Sequence, residues 1–200
     1  MLEGGEGCGK DTHADLLEQD LTKKGYEIIN TKEPGGTPEA ERIRDILLDE
    51  KNQLDDITEL YLYQAARRDL SHKVIEPSLK QGKIIISKRG FPSSWAYQGY
   101  GGGLDTEFIQ KLNNHSIRNF FPDLIFILDI DPRIGLEKEV NPDRFAKKGL
   151  EYHQKVRQGY LDIAKRYPNI TKIIPYKQGE EGKIRTQEEI RKKVEEKLNI

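Results

Sequence analysis

Short runs of consecutive apolar residues alternate along this chain with stretches whose apolar residues recur every three or four positions. Residues 26–31, 83–87, 124–129 and 171–175 are short, rich in Ile and Leu, and continuous, as expected of strands buried on both faces of a parallel sheet. Between them Ala14, Leu17 and Leu21 recur at helical spacing ahead of Gly25, and Ala40, Ile43 and Leu47 do the same after Pro38. Further helical patterns cover about 57–81, 105–119 and 150–166, and a last one carries Ile190, Val194 and Leu198. The alternation predicts an α/β fold, a parallel sheet wrapped by crossover helices. The charged stretch 138–148 interrupts two helical patterns and reads as a mobile lid, although a charge run taken alone is ordinarily a solvated helix face. No repeat or linker divides the 200 residues, so one domain is expected.

Charge and composition narrow the function classes. Thirty-three Lys and Arg against thirty-four Asp and Glu leave a formal charge of −1, so the uniform basic field needed for non-specific nucleic-acid binding is missing. Hydrophobic residues at 35% and charged residues at 34% describe a polar chain that still supplies enough periodic Ile, Leu and Val to fold. No run approaches the roughly 20 apolar residues of a membrane helix, and Met1 to Gly4 lack the regions of a signal peptide, so a cytoplasmic protein is expected. Cys8 is the only cysteine and no Cys/His cluster has metal-ligand spacing, which argues against a structural zinc or a disulfide framework.

The chemistry enters near the start of the chain. Gly4-Gly5-Glu6-Gly7-Cys8-Gly9-Lys10 fits GxxxxGK, a loop whose backbone N–H groups wrap a β-phosphate while the lysine reaches the transferred group. A Gly-rich turn is the bland alternative. The amphipathic helix that follows counts against it, because a helix N-terminus adds positive potential at the phosphate. Gly4, Gly5, Glu6, Gly7, Cys8, Gly9, Lys10, Asp11 and Thr12 are therefore the expected ATP-binding residues. Asp11 stands where Ser or Thr usually ligates Mg²⁺, with Thr12 one position later, so Asp11 becomes the candidate metal residue. Only Met1 and Leu2 precede Glu3, so the strand before the loop is either truncated upstream or unusually short.

With these pieces in place the chain resembles the thymidylate kinases, a branch of the P-loop nucleoside monophosphate kinases. The resemblance runs in order through residues 3–12 (EGGEGCGKDT), 32–37 (KEPGGT), 61–67 (YLYQAAR), 88–99 (KRGFPSSWAYQG) and 144–160, with its RF, YH and KVRQGYL elements. The EPGGT and SxxAYQG pieces are the specific ones, since a generic P-loop ATPase has no reason to carry either. The resemblance implies a P-loop NTPase-type three-layer fold with a five-stranded parallel sheet, a short lid and a homodimer. It also implies transfer of the ATP γ-phosphoryl group to dTMP, giving dTDP, with Mg²⁺ accompanying ATP. Lys10, Arg89 and Arg144 become the expected catalytic residues. Arg89 would hold the dTMP phosphate, for which a guanidinium has the right bidentate geometry. Arg144 would bring a lid cation to the transition state, because Gly7 fills the loop slot where other members place a basic residue. Glu6 falls near the sugar 3′-hydroxyl and Pro34 near the thymine methyl. Tyr63 takes the stacking position, usually Phe, and Arg67 the position that hydrogen-bonds the ring. Ser93, Ser94, Tyr97 and Gln98 complete the acceptor side.

Two residues depart from the family pattern with opposite charge: Asp11 in place of the loop hydroxyl, and Lys88 where a carboxylate normally precedes the arginine and helps organise Mg²⁺. The two are expected to face each other. Either they form an ion pair across the metal position, or Asp11 replaces the lost carboxylate while Lys88 neutralises phosphate directly. Lys32, where Arg is usual, keeps the charge but loses the planar fork. Beside an active thymidylate kinase stand two other readings, an impaired nucleotide-binding protein of the same fold and a related kinase with shifted acceptor specificity.

Overall fold

The computed structural model describes residues 1–118, 120–139 and 142–200. Five parallel strands, β1 (Leu2–Glu3), β2 (Ile28–Lys32), β3 (Ile84–Lys88), β4 (Ile125–Asp129) and β5 (Thr171–Pro175), form one sheet in the order β2-β3-β1-β4-β5. The expected α/β three-layer arrangement is therefore observed, and the shortest strand is the central one. Leu2 of β1 pairs with Lys88 on one side and Phe126 on the other, which holds the two-residue strand in place and aims its end at the P-loop.

The β4 run shows why the strands read as continuous rather than alternating. Ile125 and Ile127 join one apolar core with Phe91, Trp95, Val156 and Ile163, while Phe126 and Leu128 join the other with Leu2, Leu17 and Ile190. Successive side chains point to opposite faces, so a strand covered on both sides needs apolar residues at every position. Helices α1 (Lys10–Lys23) and α9 (Gly179–Leu198) cover one face. The other is covered by α8 (Leu150–Arg166) and by α5 (Phe91–Ser94), which continues as a wide helical turn over Trp95–Gly101.

The remaining helices are α2 (Pro38–Leu48), α3 (Asp56–Leu70), α4 (Glu76–Lys80), α6 (Thr106–Ile117) and α7 (Pro132–Lys138). Each expected helix is found. The long pattern at 57–81 divides into α3, one π-helical turn over Ser71–Ile75, and α4. The expected end of α6 at Asn119 lies outside the described residues, as do positions 140 and 141 of the stretch read as a lid. What is described of that stretch is the end of α7 at Lys138 and a single tight turn over Ala146–Lys148 that leads into α8. Strand starts move inward where backbone groups are claimed by turns. Tyr26 donates to the Leu21 carbonyl and Lys83 to that of Ser78, so both close helix ends before β2 and β3 begin.

Candidate active site

The loop between β1 and α1 follows from its glycines. Gly4, Gly7 and Gly9 all have positive φ, at 148°, 64° and 87°, where other residues are strained. At Gly7 space is closed as well, because an added Cβ would strike the Gly135 carbonyl of α7. The glycine read as the slot of a missing basic residue thus has a local cause: α7 docks backbone to backbone on the loop. Cys8 turns inward and packs in the core, so it can offer a phosphate only its backbone N–H. Lys10 opens α1, and Asp11 and Thr12 are exposed beside it.

Arg89 follows β3 with a left-handed backbone, φ 67°, a conformation that concentrates at functional sites. Its Nη1 donates to the Gly4 carbonyl at 3.1 Å and to the Tyr160 hydroxyl at 3.0 Å, and its Nη2 to Glu6 Oε1 at 3.0 Å. The guanidinium also lies 5.0 Å from the Tyr97 ring centre. Five N–H groups less these three bonds leave two, the Nε–H and one Nη2–H, for a ligand among the described residues. Glu6 also accepts from the Tyr97 hydroxyl at 2.5 Å. Burial alone would raise the Glu6 carboxyl, but Arg89, Lys10 and the Tyr97 donor outweigh it and hold it at about 2. Glu6 is therefore a fixed anion that orients Arg89.

Beneath this pair lies Glu3, fully buried, whose Oε2 accepts from Ser93 at 2.7 Å and Tyr160 at 3.1 Å, while Oε1 has no partner among the described residues. Burial pushes its carboxyl up to about 7, with Arg89 and the two hydroxyl donors opposing. The sign follows. Between pH 4.5 and 7 the folded chain keeps a proton that the unfolded chain has released, so stability falls by about 3 kcal/mol across that window and is flat above it. Glu3→Gln is expected to remove this slope. Thermal unfolding at pH 5 and pH 8 should show the variant gaining several degrees at pH 8 and little at pH 5; an equal shift at both would refute the assignment. Glu6 acts oppositely, adding stability above pH 4.5 that is lost as pH falls toward 2.

An open cleft of about 500 Å³ lies in front of Arg89, lined by Glu6, Pro34, Tyr63, Arg67, Ser93, Ser94, Tyr97 and Gln98. Every residue expected on the acceptor side is brought together here. Arg67 is buried and committed, donating to Glu33 at 2.6 Å, Asn113 at 2.9 Å, and Gly90 O and Ser94 Oγ at 3.0 Å each, which leaves one Nη1–H. Ser93 serves Glu3, and Gln98 donates to Glu59 at 3.3 Å. The cleft also holds residues that sequence reasoning did not select, among them Glu33, Arg44, Asp143 and Phe145. Arg44 donates to the Pro34 carbonyl at 3.0 Å and adds a third guanidinium to the site, beside those of Arg67 and Arg89.

Arg144 is engaged away from the P-loop in this structure: its Nη2 lies 2.6 Å from the buried Glu59, its Nε donates to the Leu47 carbonyl, and its plane covers Phe145. Lys138, Lys147 and Lys148 are likewise engaged, by Tyr176, by Glu50, and by Asp56 with Glu59. Three of these four cations are thus ion-paired, and of the described stretch only Asp143 and Phe145 line the cleft in front of Arg89. On the far side of the P-loop a second open cleft, of about 830 Å³, is lined by Gly9, Thr12, Lys138, Tyr176 and Lys177.

Asp11 does not fit the role of a metal ligand. Its carboxylate faces the Lys88 ammonium at 4.0 Å, and Asp15 lies 3.5 Å from the same ammonium. Among the described residues no three His, Cys, Asp or Glu converge as a metal site. Lys32 pairs with Glu41 at 3.4 Å.

A glycine loop of the GxxxxGK pattern at the end of the central strand, flanked by two open clefts of which one is headed by Arg89, defines a P-loop protein of the phosphotransferase class. The thymidylate kinase family profile matches residues 2–193. Thymidylate kinase of Symbiobacterium thermophilum is 39% identical over 200 residues, covering 98% of this chain and 92% of its own length. That of Geobacillus sp. strain WCH70 is 44% identical over 172 residues, 83% of this chain and 82% of its own. The crystal structure of thymidylate kinase from Ehrlichia chaffeensis superposes with a TM-score of 0.75 at 36% identity, covering 90% of this chain and 87% of that one. The chain belongs to the thymidylate kinase family.

Proposed function

We propose that this chain transfers the γ-phosphoryl group of ATP to dTMP, giving ADP and dTDP. The observation that carries the reading is that one side chain ties the P-loop to the arginine-lined cleft: Arg89 bonds to the loop at Gly4 and Glu6, lines that cleft, and keeps two N–H groups unpaired among the described residues. A dTMP phosphate held there lies next to the donor's γ-phosphate. Its oxygen attacks the γ-phosphorus as the bond to the β-phosphate oxygen breaks, and ADP leaves. Such transfer is governed by positioning and charge stabilisation. Residues 4–12 bind the donor's phosphates, with Lys10 reaching the transferred group. Magnesium arrives with ATP as part of the substrate.

Arg44 and Arg89 neutralise the acceptor phosphate, Tyr63 and Phe145 face the base, and the last free N–H of Arg67 with Gln98 reads its polar edge. Pro34 borders the base, and Glu6 lies near the sugar. The 200 residues act as one domain, with residues 138, 139 and 142–148 as its lid. Ile46, Ile57 and Tyr61 are exposed apolar residues on α2 and α3, which supports a homodimer packed through those helices. The protein works in the cytoplasm, and no described helix is long and apolar enough to cross a membrane.

A coupled ADP-release assay with ATP, Mg²⁺ and dTMP, against dUMP, dCMP, dAMP and no acceptor, tests the reading. Turnover that depends on dTMP and exceeds that with the other acceptors is expected. Turnover no greater than the acceptor-free blank, or preference for another nucleotide, would overturn it.

A further inference from the structure

Lys88 ends β3 in register with Leu2, one residue before Arg89, and the two cations diverge. Arg89 enters the acceptor side, while the Lys88 ammonium lies over the first two turns of α1, 4.0 Å from Asp11 and 3.5 Å from Asp15. In a P-loop the residue after the lysine is the one whose side chain meets the metal on the donor's phosphates. Here that residue faces the Lys88 ammonium, as does Asp15, so a divalent ion held by the protein at this position would compete with that ammonium for the same carboxylates. The anion that suits the spot is the polyphosphate itself.

We propose that Lys88 is a donor-phosphate-binding residue, the protein's own cation at the position that P-loop proteins give to a protein-held metal. The inference rests on the kinase reading above. Its tether is suited to release. Both carboxylates are more than half exposed, at 69% and 56%, and both contacts are longer than a strong charge-assisted hydrogen bond. Asp15 has a second partner to fall back on, since Asn30 donates to it at 3.0 Å. A polyphosphate seated at the N-terminus of α1 presents more negative charge than either aspartate. The Lys88 side chain, 20% exposed, then turns from the aspartates to the phosphate oxygens while Asp15 keeps its bond to Asn30. The chain therefore binds ATP with little help from a divalent ion.

Calorimetric titration with ATP, in Mg²⁺ and in EDTA, and with dTMP as a separate ligand, tests this. The intact chain is expected to lose less than about tenfold in ATP affinity when Mg²⁺ is removed. Lys88→Met should lower metal-free ATP affinity by about tenfold or more, the size of one charged hydrogen bond, leave dTMP affinity within about twofold, and be rescued by Lys88→Arg. Metal-free ATP affinity unchanged in Lys88→Met, or a steep Mg²⁺ requirement in the intact chain, would overturn the proposal. Intact chain that binds neither ATP nor dTMP would instead overturn the kinase reading. Should Lys88→Met misfold and lose dTMP as well, Asp15→Asn decides: loosening the tether should hold or raise metal-free affinity, and a tenfold fall would overturn the proposal.

Discussion

Arg89→Ala is expected to lower kcat/KM for dTMP by about a thousandfold or more, the scale set by removing a preorganised cation or donor from a phosphoryl-transfer site. The size follows from how the side chain is held. Its backbone is fixed in the left-handed region, three of its N–H groups are bonded to Gly4, Tyr160 and Glu6, and its plane rests against Tyr97. The two N–H groups left over are positioned before any substrate arrives, so little reorganisation is needed at the moment of transfer. Arg89→Lys separates charge from geometry. It keeps a cation near Glu6 but cannot span the loop and the acceptor together, so most of the loss should remain and should fall on kcat as well as KM. Steady-state kinetics with dTMP varied at saturating ATP measures both variants. A drop below tenfold in Arg89→Ala would mean that the acceptor phosphate is held elsewhere, with Arg44 the first candidate.

What could be read from the sequence, and what could not, divides along a physical line. Elements and the phosphate loop are local. Ile125 to Asp129 announce a doubly buried strand because both faces meet cores, and the glycines of residues 4–9 announce a loop because only glycine tolerates its backbone. The opposition of Asp11 and Lys88 was legible too, since charge changes of opposite sign at two positions around one loop suggest that they meet, and they do. The partner of Arg144 was not. The charge run at 138–148 shows only that cations are present there; that Glu59, some 85 positions earlier, waits for Arg144 depends on how α3 packs against the turn before α8. Glu3 was missed for a related reason. A carboxylate before a glycine gives no sign that it is buried, and its partners Ser93 and Tyr160 come from two distant helical segments. Arg44 looks like any exposed helix charge until α2 is placed beside Pro34.

Such a long-range partnership sets the largest stability effect. Arg67→Met is expected to destabilise the fold by about 3–5 kcal/mol, because it strands a buried carboxylate. Glu33 is 6% exposed, bonded to Arg67 Nε at 2.6 Å, and burial already raises its carboxyl above the usual range with Arg67 opposing. Asn113 and Ser94 lose donors at the same time. At this chain length the loss corresponds to a fall in Tm of roughly 10–15 °C. The pH dependence identifies the cause. Without Arg67 the Glu33 carboxyl takes up a proton more readily, and the proton removes the buried charge, so Arg67→Met should be less damaging at pH 5 than at pH 8. Adding Glu33→Gln to Arg67→Met removes the titrating group and should flatten that difference while recovering part of the loss, since an uncharged buried pair costs less than a broken ionic one. Melting curves of the intact chain, both single variants and the double variant at the two pH values measure the coupling. If Arg67→Met loses the same amount at both pH values and gains nothing from Glu33→Gln, the damage comes from lost packing, and Arg67 stabilises the site through its stem rather than its charge.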